Sequence, residues 1–175
     1  MTRLDKTIEG EAPKKPPKAL VLDRIDRRII DQLQRDATLS IARLAERVGL
    51  SQTPCWKRIQ KLEQSGVILG RVALADPARL GLVLTVFVEI EAIDHSPQWR
   101  EAFARAVTTL PEVVEVYRMA GDVDYLLKVV MPDMAAFDGF YKRLTSALAL
   151  KNVTSQFAME RIKSTTAYPV NTIDV

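Results

Sequence analysis

Cysteine and histidine are nearly absent: the 175-residue chain has one of each, Cys55 and His95. A single cysteine closes no intramolecular disulfide, which points to a reducing compartment. One Cys and one His also leave no cluster for zinc and no Cys–His nucleophile pair, so no metal, cofactor or catalytic residue is expected. No apolar run approaches the roughly 20 residues that cross a bilayer, so no membrane partner is expected. The opening MTRLDKTIEGEAPKKPPK lacks the apolar core of a signal peptide. These absences predict a cytoplasmic chain. What is present is ordinary: 47% hydrophobic and 27% charged residues exclude wholesale disorder and collagen-like repeats.

The formal net charge of +3 hides an asymmetry. Residues 1–70 carry 14 Lys+Arg and 9 Asp+Glu, a net of +5, and residues 71–175 carry 11 and 13, a net of −2. A basic part joined to a slightly acidic one suggests a nucleic-acid-binding module fused to something else. Charge drift between halves would look the same, so the motifs must decide. Residues 1–19 hold Pro13, Pro16 and Pro17 among Lys14, Lys15 and Lys18 and read as a basic arm. Such an arm either lies along phosphates or is a tail without a role.

From residue 20 the pattern is helical. Leu22, Ile25, Ile29, Ile30 and Leu33 recur at three- and four-residue steps, with Asp23 placed as a cap. Ser40 opens a second helix with an apolar face of Ile41, Leu44, Ala45 and Val48, and Gly49 is its natural stop. Ser51 then caps SQTPCWKRIQKLEQSG, whose Pro54 falls in the first turn where the missing amide costs little. Only Gly49, Leu50 and Ser51 separate these two helices, the spacing of a helix-turn-helix, although plain helical hairpins share it.

At 100° per residue the third helix buries Cys55, Ile59 and Leu62 and turns Thr53, Lys57, Gln60, Lys61 and Gln64 the other way, with Gln52 and Trp56 at the flanks. Gln pairs bidentately with adenine, Lys reaches guanine or phosphate, and Thr contacts either. The candidate DNA-binding residues are therefore Ser51, Gln52, Thr53, Trp56, Lys57, Arg58, Gln60 and Lys61. Arg24, Arg27, Arg28 and Arg43 would add phosphate contacts or simply face solvent. Cys55, on the buried stripe, reads as core and not as an exposed redox sensor.

Residues 71–82 read as a linker strand with turn signals at Asp76-Pro77 and Gly81. Beyond it the elements alternate. LVLTVFVEIEA (82–92) is a strand, and Pro97 opens a helix with Trp99, Phe103, Val107 and Leu110 on one face. VVEVYRMA (113–120) and VDYLLKVVM (123–131) are strands joined across Gly121-Asp122. A helix beginning at Pro132-Asp133 and a last strand VTSQFAMERI (153–162) complete the order βαββαβ. That order is the ferredoxin-like arrangement, which by itself says nothing about activity.

Four stretches carry a family resemblance: LDRIDRRIIDQLQRD, LAERVGLSQTPCWKRIQKLEQSGVI, MAGDVDYLLKV with the following PDM, and FAMERIK. Over residues 20–170 the chain resembles the Lrp/AsnC, or feast/famine, transcriptional regulators, and TPCWKR, FYKRL and TSQFAME resemble its cysteine-responsive branch. The resemblance implies an α+β chain. A winged helix-turn-helix domain (20–70) is joined by the linker strand (71–82) to a ferredoxin-like (RAM) effector and oligomerisation domain (83–175). It also implies double-stranded DNA as partner, a homodimer assembling to an octamer or similar ring, and association with the nucleoid. The effector site it implies comprises Met119, Ala120, Gly121, Asp122, Asp124 and Met134, with Thr154, Ser155, Gln156, Phe157 and Ala158 contributed by an adjoining dimer. Chemically this suits a zwitterion: Asp122 and Asp124 would accept from an ammonium, and the amides around Ala120 and Gly121 would donate to a carboxylate. The same Gly-Asp pair also serves as a plain hairpin turn.

The expected function is a sequence-specific DNA-binding regulator modulated by a small amino acid, with cysteine favoured over leucine or another. The alternative is a small ferredoxin-like dimeric enzyme. No nucleophile–base pair, metal cluster or nucleotide loop in the sequence supports it.

Overall fold

The computed structural model describes residues 21–171, so the basic arm expected at 1–19 lies outside the described residues. The chain divides into two units, each taken in turn.

The first unit holds α1 (Arg24–Arg35), α2 (Ile41–Val48) and α3 (Gln52–Gln64). Asp23 starts α1 with a reciprocal cap. Its carboxylate accepts the Asp26 amide at 2.8 Å, and Asp26 accepts the Asp23 amide at 3.3 Å. Ser40 caps α2 through the Arg43 amide. Gly49 ends α2 at φ 74, which lets the Leu50 amide reach back to the Ala45 carbonyl at 2.9 Å. Ser51 sits at the N-cap of α3, but its hydroxyl makes no capping hydrogen bond there. Ile29, Ile30 and Leu33 of α1 bury against Leu44, Ala45 and Val48 of α2 and Cys55, Ile59 and Leu62 of α3. Each fully buried side chain of the larger kinds contributes about 1.5–3 kcal/mol.

Residues 71–82 carry no strand, contrary to the sequence expectation. A strand exists only against a partner edge, and among the described residues the four strands pair only with one another. Instead the Leu82 amide donates to the Pro77 carbonyl at 2.8 Å, closing a turn over the Pro77–Gly81 stretch.

The second unit is β1 (Leu84–Ala92), α4 (Pro97–Thr108), β2 (Val113–Arg118), β3 (Tyr125–Met131), α5 (Met134–Ala147) and β4 (Leu150–Phe157). The antiparallel sheet has the order β2-β3-β1-β4, so each helix carries the chain past a central strand. Val86, Val88 and Ile90 of β1 and Leu127, Val129 and Met131 of β3 share one face and pack against Phe103, Val107, Phe140 and Leu144. Both helices therefore cover that face, and Phe87, Glu89, Glu115, Leu126 and Lys128 alternate onto the other. The last strand begins and ends earlier than the expected 153–162. The Ala158 amide makes a hydrogen bond to the Thr85 carbonyl beside the start of β1, and past that point no strand lies alongside.

Residues 163–171, expected within the C-terminal domain, belong to the first unit. Val170 packs on its core, and Gln34 hydrogen-bonds the Tyr168 backbone.

Candidate nucleic-acid interface and effector site

On α3 the apolar stripe is buried as its spacing requires, leaving Gln52, Thr53, Trp56, Lys57 and Lys61 exposed and Gln60 half-buried. Ser51 is exposed at the same end. This places amide, hydroxyl and ammonium groups on the outer side of the second helix of the turn. Arg58 departs from the group. Its Nη1 donates to Asp23 Oδ2 at 2.6 Å and to Asp26 Oδ1 at 2.7 Å, and Asp26 is buried. Arg58 thus ties α3 to the reciprocal cap of α1, a role invisible in sequence because its partners lie 32 and 35 residues away. The Asp26 amide, assisted by Arg58, holds the Asp23 carboxyl below the usual aspartate range. A cavity of about 370 Å³ opens beside this joint, lined by Asp23, Pro54, Lys57, Arg58 and Lys61.

Two of the other candidate arginines also have structural duties. Arg28 donates to the Arg47 carbonyl at 2.7 Å, and Arg27 donates to the Val170 carbonyl at 2.9 Å. Arg24 and Arg43 are exposed. Cys55 is fully buried and its burial pushes the thiol pKa up, which disfavours the reactive thiolate.

In the second unit, residues 119–124 join β2 to β3, and the Met119 amide donates to the Asp124 carbonyl at 2.8 Å. Gly121 has φ 134, a conformation that residues with a Cβ rarely adopt. Met119, Ala120, Gly121 and Asp122 are exposed. Asp124 is different: Oδ2 accepts the Ala92 amide at 2.8 Å, and Oδ1 lies 3.8 Å from His95 Nδ1. Its carboxylate fastens the end of β1, so of the two acids Asp122 is the one turned to solvent. No local sequence pattern marks His95 as the neighbour of Asp124.

The stretch Thr154–Ala158 does not present one face. Thr154 pairs with Glu89 and Gln156 with Phe87 on the open side of the sheet, and Gln156 Nε2 donates to Glu89 Oε1 at 2.8 Å. Ser155 and Phe157 turn to the helix side. The Ser155 hydroxyl is buried there with no hydrogen-bond partner among the described residues. Phe157 meets Phe137 of α5 edge-on at a ring separation of 5.0 Å, one turn along from the exposed Met134. Phe137 is not among the site residues expected from the sequence.

These residues form two groups. The 119–124 loop adjoins the Ile90–Ala92 end of β1, while Phe157 pairs with Val86 and Ala158 with Thr85. Five residues of strand, about 17 Å, separate Ile90 from Thr85. One chain therefore does not bring the loop together with Gln156, Phe157 and Ala158. A cavity of about 460 Å³ in this unit is lined by Ala106, Thr109, Leu110, Pro111, Glu112, Arg143 and Ala147, none of them in either group.

The folded units match two families of known domains. Residues 22–68 match the winged helix-turn-helix DNA-binding family, and residues 85–168 match the Lrp/AsnC ligand binding domain. The chain is 50% identical over 151 residues to the DNA-binding transcriptional activator DecR of Escherichia coli K12, covering 86% of this chain and 99% of that protein. The chain belongs to the Lrp/AsnC family. Among solved Lrp/AsnC structures, an AsnC family regulator from Agrobacterium tumefaciens superposes with a TM-score of 0.83 at 55% identity, covering 85% of this chain and 97% of that one. The regulator NMB0573 of Neisseria meningitidis, solved as its L-Met complex, superposes with a TM-score of 0.82 at 36% identity, covering 86% and 97%. As a family member the chain is a DNA-binding transcriptional regulator with a ligand-binding domain. The relatives are regulators and lend nothing to an enzymatic reading. Among the described residues, no helix is long and apolar enough to cross a membrane.

Proposed function

We propose that this regulator binds promoter DNA through Ser51, Gln52, Thr53, Trp56, Lys57, Gln60 and Lys61, and that an amino acid, L-cysteine in the first instance, modulates it. Arg58 supports that surface by holding α3 on α1. The amino-acid class of effector draws support from the L-Met complex of the Neisseria relative. The observation that carries the mechanism is the separation of the two effector groups along β1. The loop Met119–Asp122 with Asp124 supplies one half of a site. Met134, Phe137 and the Thr154–Ala158 edge supply the other half from a second protomer. An effector bridging two protomers prefers the assembly in which the halves meet, and shifts DNA occupancy by that difference in affinity. The working assembly is a homodimer that builds to an octamer or similar ring, in the cytoplasm and on the nucleoid.

Gel shift with the DNA upstream of the chain's own gene, with and without L-cysteine, tests the reading. The expected result is a salt-sensitive shift that L-cysteine alters. Failure to shift any nearby promoter fragment at low salt defeats the DNA assignment. A thermal-shift screen across the amino acids identifies the effector, because a ligand of the folded assembly raises its melting temperature.

A further inference from the structure

The described chain ends along α1. Tyr168 meets Gln34 near the C-terminal end of the helix and Val170 meets Arg27 two turns earlier, so the segment runs antiparallel to α1. The Gln34 carboxamide takes both backbone groups of Tyr168: Oε1 accepts the amide at 2.7 Å and Nε2 donates to the carbonyl at 3.1 Å. Two-point pairing of this kind fixes direction and register, as one strand does for another. Arg27 holds the Val170 carbonyl, and the Val170 side chain packs on the helical core. The Tyr168 ring is 79% exposed, so the segment is held by its backbone and by Val170.

The segment begins a few residues after Phe157 and Ala158, which lie in the proposed effector half-site. The DNA-binding unit is thus connected to the sensing sheet at two places, through residues 69–83 and through residues 158–167. A single irregular tether passes on little about orientation, whereas a second one pinned to α1 supplies the continuous connection that coupling between sites requires.

We propose that the C-terminal segment is a clasp, with Gln34 and Arg27 as positioning residues, through which the state of the β4 end reaches the DNA-binding unit. This rests on the function proposed above. Two measurements on the full chain test it. In hydrogen exchange the Tyr168 amide is protected, and Gln34→Leu removes the protection. An unprotected Tyr168 amide in the unaltered protein overturns the clasp. The second measurement is promoter-fragment affinity with and without L-cysteine, for the unaltered chain, for Gln34→Leu and for a chain ending at Thr166. An effector-dependent change, typically about 5- to 150-fold, is expected to fall below about twofold in both variants while L-cysteine still binds by calorimetry. An unchanged ratio overturns the proposal, as does an equal loss of affinity in both states, which marks a purely stabilising contact. If the truncated chain does not fold, Gln34→Leu alone decides. If the unaltered chain ignores L-cysteine or the fragment, the proposed function fails instead, and the exchange result then decides whether the clasp exists.

Discussion

Lys57 and Arg58 are neighbours in sequence and opposites in role. Lys57 is exposed on the outer face of α3, so Lys57→Ala is expected to weaken DNA binding across sequences and lower the salt slope by about 1, leaving assembly unchanged. Gln60→Ala is expected to relax specificity at one base pair, at a cost of about 1–3 kcal/mol, read by competition gel shift. Arg58 is committed to Asp23 and Asp26, and this pairing has a pH signature. The folded-state pKa of Asp23 lies below its ordinary value of 3.8. Its contribution is therefore fully present above that value and lost as pH falls through the lower, folded-state pKa. The helical unit should lose melting temperature on acidification below about pH 4, and Asp23→Asn should flatten that part of the profile. Cys55 is fully buried, so Cys55→Ser is expected to lower stability by about 1–3 kcal/mol while a response to L-cysteine survives. A folded variant deaf to cysteine would return the thiol to consideration.

At the scale of elements, what was legible was local. Asp23, Ser40, Asp133 and Gly49 sit where helix ends need them, and each does the expected work within a few residues of itself. Gly49→Ala puts a Cβ into a left-handed backbone, and with no crowding at that position the cost is purely conformational, about 1–2 kcal/mol in chemical denaturation. The helix-turn-helix and the strand order followed from periodicity because burial on one face writes itself into the spacing of Ile, Leu and Val. Elements defined by distant partners did not. Residues 71–82 have the composition of a strand but no edge to pair with, and β4 stops where β1 begins rather than where its apolar residues run out. Within the candidate effector run Thr154–Ala158, strand alternation sends Thr154 and Gln156 to one face and Ser155 and Phe157 to the other, a division set by pairing with β1. The Asp124–Ala92 bond and the Gln34–Tyr168 pairing join residues 32 and 134 positions apart, which no local pattern encodes. Asp124→Ala would therefore disturb the end of β1 as well as any ligand, whereas Asp122→Asn is the cleaner probe. It is expected to weaken L-cysteine binding in calorimetry with the melting temperature unchanged, and undiminished binding would remove the loop from the site.

For the whole molecule, the charge split becomes functional geometry. Residues 21–70, which hold the helix-turn-helix, carry 9 Lys+Arg against 6 Asp+Glu, and their DNA affinity should fall linearly in log–log plots against salt, whereas effector binding in the sensing unit should depend on salt far less. The spacing of the two groups along β1 also has a genetic consequence. If neither half of the effector site is complete within a chain, an allele damaged at Asp122 and another damaged at Gln156 are both deaf when expressed singly. Expressed together they restore a fraction of sound sites, wherever an intact loop from one product meets an intact strand from the other. The pair would complement in a merodiploid cell although both lesions lie in one gene.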